Sequence, residues 1–264
     1  MTIDSLKEQL KKTFGFSQFR GEQEAIILNT IQGKNSFVLM PTGAGKSLCY
    51  QLPAIVMEGT AIVISPLIAL MKNQVDQMVA FGINAQFLNS SLTRAEINRV
   101  KAEVISGAVK LLYIAPESLN KQENLNFLQQ ANISFVAIDE AHCISEWGHD
   151  FRPEYRALSM LHEHFAGVPR LALTATADAL TREDMLHHLA LTGSRQFISS
   201  FDRPNIRYRI TEKRDAMAQL LAFIQGEFEG EAGVVYCQSR RRVEEVAEQL
   251  ARAGVNALPY HAGM

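Results

Sequence analysis

Two short stretches hold residue types suited to phosphate chemistry. Met40-Pro41-Thr42-Gly43-Ala44-Gly45-Lys46-Ser47 follows an apolar run and opens a helical pattern. Small residues in that position let backbone N–H groups close around phosphates, and the helix start adds positive potential. Thr42, Gly43, Ala44 and Gly45 then form the cradle, Lys46 reaches the β/γ-phosphates and Ser47 ligates Mg²⁺. Met40 stands where the usual pattern has glycine, so the loop is a variant form; a plain Gly-rich turn containing Lys-Ser is the bland alternative. The second stretch is Asp139-Glu140-Ala141-His142, directly after the apolar run ending at Ile138. At the C-terminal end of a parallel strand, Asp139 can hold the same Mg²⁺ and Glu140 can orient and deprotonate an attacking water. Alone the tetrapeptide could be a helix N-cap. Paired with the phosphate loop it points to nucleoside-triphosphate hydrolysis.

Other groups leave two readings open. Ile144 to Tyr155 contains the only Trp of the chain, Trp147, together with His149, Phe151 and Arg152. Exposed rings beside an Arg suit stacking on unpaired bases, whereas Trp147 and Phe151 could equally anchor the loop to the core. Phe16, Arg20 and Gln23 could stack on and hydrogen-bond adenine, but Phe16 by itself reads as a core residue. Thr174 and Thr176 could couple His142 to a bound nucleic acid, or simply cap the helix that begins near Asp178. Arg240-Arg241-Arg242 reads as a solvated helix face. Cys143 has no activating partner in sequence and reads as inert.

These residues need a scaffold, and the hydrophobic pattern supplies one. Apolar runs at 36–40, 61–64, 110–114, 134–138, 170–173 and 196–198 predict buried strands. Leu6, Leu10 and Phe14 predict an opening helix stopped by Gly15, and further helices are expected over 22–32, 68–81, 94–105 and 178–189. Near-continuous apolar strands alternating with helices mean an α/β protein with a parallel sheet covered by helices on both faces. A turn-rich seam at Phe201-Asp202-Arg203-Pro204-Asn205 separates residues 1–205 from 206–264. Beyond it, strands are expected at 207–210, 233–237 and 257–260 and helices at 216–224 and 242–253. That second segment is short for an α/β domain of roughly 100–150 residues, so it is expected to be a truncated one.

Composition narrows the function classes. With 264 residues, 47% hydrophobic and 20% charged, the chain is neither disordered nor fibrous. Its net charge of −2 gives no global basic field, so any nucleic acid must be gripped locally. No secretory leader or run long enough to span a bilayer is seen, which leads to the expectation of a cytoplasmic protein with no membrane partner. Three scattered cysteines, Cys49, Cys143 and Cys237, argue against a disulfide framework and lead to the expectation of no zinc in this portion.

Taken together the motifs closely resemble the RecQ family of superfamily 2 DNA helicases. The resemblance runs through Phe14-Gly15-Phe16 with Phe19-Arg20 and Gln23, then Met40 to Gln51, Ser65 to Met71, Tyr113 to Glu117 and Asp139 to Tyr155. It continues through Leu173 to Ala177, Phe201 to Asn205, Val235 to Arg240 and Tyr260 to Gly263. It implies a RecA-like P-loop domain over 1–205 and the start of a second RecA-like domain over 206–264. It implies a 3′→5′ helicase that uses ATP and Mg²⁺ to unwind DNA in recombination and repair, with single-stranded and forked DNA as partners, in the cytoplasm at the nucleoid. Phe16, Arg20 and Gln23 would recognise adenine. Trp147, His149, Phe151 and Arg152 would sense single strands and relay their presence to Glu140, and His142, Thr174 and Thr176 would couple hydrolysis to movement. The later motor motifs with their arginine fingers, and a C-terminal region able to meet a single-strand-binding protein, would lie past Met264. An arginine finger is worth about 10³–10⁵ in turnover, so this polypeptide is expected to bind nucleotide and hydrolyse it weakly. The alternatives are a fragment that binds nucleotide or single-stranded DNA without turnover, and a P-loop ATPase acting on RNA or protein.

Overall fold

Leu6 and Leu10 lie on one face of the first helix, α1 (Ile3–Phe14), and both are buried. Thr2 caps it by accepting the Ser5 N–H, and Gly15, at φ 75°, ends it in the left-handed conformation that glycine adopts without strain. Its buried face packs on Ile27 of α2 (Gln23–Ile31) and on Leu48 and Leu52 of a later helix. The computed structural model describes residues 2–148, 150–200 and 206–264. His149 and the Phe201–Asn205 seam of the sequence reading lie outside them. By internal contacts the chain divides into two units, Met1–Arg203 and Pro204–Met264.

In the first unit the chain alternates. After α2 come β1 (Ser36–Leu39), α3 (Leu48–Val56), β2 (Thr60–Ile64), α4 (Ile68–Ala80), β3 (Ala85–Leu88) and α5 (Arg94–Ile105). Then follow β4 (Leu111–Ile114), α6 (Pro116–Leu119), α7 (Gln122–Leu128) and β5 (Ile133–Ile138). A 3₁₀ turn, Ala141–Ile144, leads through a loop to α8 (Pro153–Arg156). A second 3₁₀ turn, Ala157–Met160, precedes α9 (Leu161–His164), β6 (Arg170–Thr174), α10 (Ala179–His188) and β7 (Arg195–Ile198).

Among the described residues the seven strands form one sheet, ordered β3-β4-β2-β5-β6-β1-β7, and every pairing is parallel. Every residue of β1, β2 and β4 is buried, as expected of strands with helices on both sides. Alternate residues feed two cores. Phe37, Ile62, Leu112 and Val136 point to one, and Val38, Val63, Tyr113 and Phe135 to the other. The topology has one consequence for chemistry: β6 lies between β5 and β1. The segments leaving these three strands at their C-terminal ends therefore converge, where ligands of open α/β sheets bind.

Strand β3 has no counterpart in the sequence reading. It is an edge strand of four residues in which Gln86 and Phe87 are only half-buried, so its apolar signal is weak.

The second unit differs from the sequence expectation. Helices α11 (Ala216–Glu227) and α12 (Arg240–Arg252) form where periodicity puts them, with Asp215 and Ser239 as N-caps. The strands expected at 207–210, 233–237 and 257–260 do not form: no ladder pairs these residues among the described residues. Ile210 is 98% and Tyr236 94% exposed. The residues have strand propensity, but a strand exists only with a hydrogen-bonded neighbour. Arg241 and Arg242 pair with Glu245 on the exposed start of α12, a solvated face.

Candidate active site

The phosphate loop leaves β1 and enters α3. Gly43 and Gly45 both sit at φ 82°, which residues with a Cβ rarely adopt. Thr42, Gly43 and Gly45 are exposed, so a phosphate can approach the backbone. Lys46 Nζ donates to the Met40 carbonyl at 3.2 Å, folding the ammonium back over its own loop. Gln23 stitches the loop to the N-terminal segment: its Nε2 donates to Ala44 O (3.1 Å) and Gly45 O (3.2 Å), while its Oε1 accepts the Arg20 N–H at 2.9 Å. A Cβ on Gly45 would collide with Gln23 Nε2. Phe16 is 49% exposed, with the Arg20 guanidinium 6.0 Å from its ring centroid. The core reading of Phe16 is thus corrected: the ring is a surface platform beside the loop.

The acid pair leaves β5. Asp139 is buried, and its Oδ1 accepts the Glu140 N–H at 3.0 Å. Burial above all, and then the neighbouring Glu140 charge, push the Asp139 carboxyl up to about 6, against the pull of that hydrogen bond and of Lys46. A buried carboxylate beside a second acid and a lysine suits a small divalent cation, whose charge offsets the repulsion. The glycine cradle, Lys46, Ser47 and this acid therefore fit a magnesium nucleotide. Glu140 has φ 47°, a left-handed backbone rare for a residue with a side chain and of the kind that gathers at functional sites.

Thr174, the last residue of β6, touches both sides. Its carbonyl accepts the Met40 N–H at 3.1 Å, at the stem of the phosphate loop. Its Oγ1 lies 2.9 Å from His142 Nδ1 and takes the Thr176 N–H at 3.2 Å. The same Nδ1 lies 3.4 Å from Glu140 Oε2, so one ring nitrogen faces the threonine and, more distantly, the acid. The helix-cap reading of these threonines is corrected, because Asp178 caps α10. Thr42, Pro66, Glu140, His142, Asp150 and Thr176 all line one cleft of about 300 Å³. A larger hollow, about 640 Å³ beside Lys7, Phe19 and Glu24, holds none of these groups.

The aromatic-rich loop rises from the 3₁₀ turn after the acid pair. Trp147 is 71% exposed and Phe151 partly so; neither anchors a core. Arg152 is engaged by Asp150 (3.1 Å) and reaches the Pro66 carbonyl at 3.4 Å. Gly148 permits close approach: a Cβ there would lie 2.9 Å from the His142 carbonyl. Two supports had no assigned role in the sequence reading. Buried Tyr155 donates its hydroxyl to the Asp139 carbonyl at 2.9 Å. Arg156 pairs with Glu146 at 2.9 Å and stands 5.9 Å from the Phe151 ring. Only their closeness in sequence to the acid pair could have flagged them.

With this geometry in hand, the comparisons with known proteins are specific. The chain is 52% identical over 255 residues to the ATP-dependent DNA helicase RecQ of Pasteurella multocida, covering 97% of this chain and 40% of that protein. It is 42% identical over 253 residues to the ATP-dependent DNA helicase RecQ of Bacillus subtilis, covering 95% and 43%. The chain thus spans less than half the length of these curated relatives. Among solved structures, the DUF1998 helicase MrfA bound to DNA superposes with a TM-score of 0.69 at 18% identity, over 96% of this chain and 39% of that one, a likeness of fold alone. Residues 20–185, which hold the phosphate loop, the acid pair and the β6 threonines, match the family model of the DEAD/DEAH box helicases, and the chain belongs to that family.

Proposed function

We propose that this chain is the nucleotide-binding motor portion of an ATP-dependent 3′→5′ DNA helicase of RecQ type, acting on single-stranded and forked DNA. The observation that carries the reading is Thr174. It joins the stem of the phosphate loop to His142, which in turn faces Glu140 and heads the loop bearing Trp147. ATP use follows from the family, and the RecQ likeness favours DNA over RNA or protein as the partner. Residues 206–264 fit the start of a second motor domain. Contact with a single-strand-binding protein and a place in the cytoplasm at the nucleoid belong to the same proposal, on the resemblance alone.

In this reading Phe16 and Arg20 hold the adenine face, and Gln23 meets the adenine edge while tying it to the loop carbonyls. Thr42 to Gly45 present backbone N–H groups to the phosphates, and Lys46 exchanges the Met40 carbonyl for a phosphate oxygen. Ser47 and Asp139 would hold Mg²⁺, which would neutralise charge on the phosphates. Glu140 orients the attacking water and accepts its proton on a carboxylate oxygen. His142 Nδ1 cannot serve Glu140 and Thr174 equally well, so a small ring rotation decides how far Glu140 is engaged. Bases stacked on Trp147 and Phe151, with Arg152 drawn from Asp150 to a phosphate, shift the loop and with it His142.

ATP turnover measured with and without single-stranded DNA, using Glu140→Gln as the blank, tests the reading. A rate raised by DNA more than by RNA, and lost in the variant, supports it. Tight nucleotide binding without turnover assigns the chain to the binding-only alternative, and absence of nucleotide binding contradicts both.

A further inference from the structure

The fold gathers three different ligand types behind the acid pair. Cys143 Sγ lies 3.9 Å from His142 Nε2 and 3.6 Å from Asp150 Oδ2. One ligand atom from each of the three residues falls within 4.8 Å of the others. Tetrahedral coordination, with metal–sulfur bonds of about 2.3 Å and metal–nitrogen bonds of about 2.0–2.1 Å, needs ligand atoms roughly 3.3–3.7 Å apart. The two contacts of Cys143 are close to coordination distance, and the His142 and Asp150 ligand atoms, within 4.8 Å of each other, close by about 1 Å on binding.

We propose that His142, Cys143 and Asp150 form a binding site for one borderline-soft divalent cation of the zinc type, with solvent as the fourth ligand. Mixed sulfur, imidazole and carboxylate donors select zinc-like ions over Mg²⁺. The hydrogen bonds around His142 favour the required tautomer. Thr174 Oγ1 takes the Thr176 N–H and directs its own proton to the Thr176 carbonyl at 3.0 Å. His142 Nδ1 must then supply the proton of the 2.9 Å contact, which places the lone pair on Nε2, towards Cys143. A ligating imidazole held through its other nitrogen is the usual second-shell arrangement. Arg152 holds the Asp150 carboxyl below its ordinary range, so this ligand is ionised. The Cys143 thiol is protonated, because burial and then the Asp150 charge push it up to about 12. Binding thus breaks the S–H bond, forms the S–metal bond and releases that proton to solvent. His142 and Asp150 both line the cleft of about 300 Å³, which gives the ion a path in. Counting cysteines misses the site, since two of its three ligands are not cysteine.

Co²⁺ is the probe, added to the nucleotide-free chain without Mg²⁺. The expected result is a thiolate-to-cobalt charge-transfer band saturating at one equivalent and bleached by Zn²⁺. Cys143→Ser should abolish the band, whereas Cys49→Ser and Cys237→Ser should keep it. Asp150→Asn changes a side chain that is 47% exposed, so the fold is retained. It should weaken Co²⁺ binding at least tenfold, and Thr174→Val, which removes the outer partner of His142, by about 10–100-fold. No band in the folded wild-type chain overturns the proposal, as does unchanged Co²⁺ affinity in folded Cys143→Ser. Should Cys143→Ser fail to fold, unchanged affinity in Asp150→Asn overturns it equally.

Discussion

The two walls of the cleft are built in opposite ways. The phosphate loop is held by Lys46 on Met40 and by Gln23, from α2, on Ala44 and Gly45, with two glycines in backbone conformations that other residues avoid. The aromatic-rich loop is held by Tyr155 under the acid pair, by Arg156 on Glu146 and by Arg152 on Asp150 and Pro66, and presents Trp147 to solvent. One wall fixes the backbone that faces the ligand, and the other fixes its flanks while leaving the Trp147 ring in solvent. Preorganisation suits phosphate chemistry, where positioning supplies most of the catalysis. A loop that must report a partner needs the freedom to change contacts. Thr174 stands between them because β6 stands between β1 and β5.

The largest expected effect lies on the rigid wall. Glu140→Gln should lower ATP turnover by about 10²–10⁴-fold, the span of a general base, while nucleotide affinity measured by equilibrium binding stays unchanged. A parallel loss of affinity would show that Glu140 shapes the loop as well as the chemistry.

Asp139 gives a stability prediction with a defined sign. Its folded value of about 6 lies above the ordinary carboxylate value, so the fold favours the protonated acid. The stability this provides is complete below about pH 4 and is lost as pH rises through about 6. Asp139→Asn removes the penalty. It should stabilise the nucleotide-free chain at about pH 8 by up to about 3 kcal/mol, with the gain vanishing below about pH 4. Thermal melts across pH read this directly, and a gain independent of pH would contradict it.

Two glycines separate the walls. Gly45→Ala meets both a left-handed backbone and the Gln23 amide, and should weaken nucleotide binding by at least about 2 kcal/mol whether or not DNA is present. Gly148→Ala meets the His142 and Ser145 carbonyls, at 2.9 and 3.3 Å, away from the phosphate loop. It should leave nucleotide affinity within about twofold and reduce the response to DNA by about tenfold, roughly 1.4 kcal/mol. Equal effects of the two on nucleotide binding would erase the contrast between the walls. The smallest effect is that of Tyr155→Phe, which removes one hydrogen bond to the Asp139 carbonyl and should cost about 1 kcal/mol in a denaturant titration.

Sequence alone showed much of the rigid wall and less of the other. Strands β1, β2, β4, β5 and β6 were legible because burial on both faces leaves near-continuous apolar runs. Gly15 marked a helix end, as its positive φ bears out. β3 was hidden because an edge strand carries polar residues, and the strands expected past residue 206 were misread because propensity does not supply a neighbour. That Thr174 acts on His142 was one of two open readings; the direct bond across 32 positions depends on strand order, which no local pattern encodes. Gln23 was legible as a polar group near a nucleotide site, but its hold on two loop carbonyls emerges only when α2 packs on α3.

Coupling of the two walls through Thr174 is open to a direct test. Trp147, the single Trp of the chain, reports on it without a label. Its emission should be followed while oligo-dT is titrated into the chain, with and without a non-hydrolysable ATP analogue, and again in Thr174→Val. The analogue should shift the oligo-dT dissociation constant by about fivefold or more, the low end of ordinary coupling, and Thr174→Val should remove the shift while both ligands still bind. Oligo-dT affinity that ignores the analogue, or a shift that survives Thr174→Val unchanged, would contradict it.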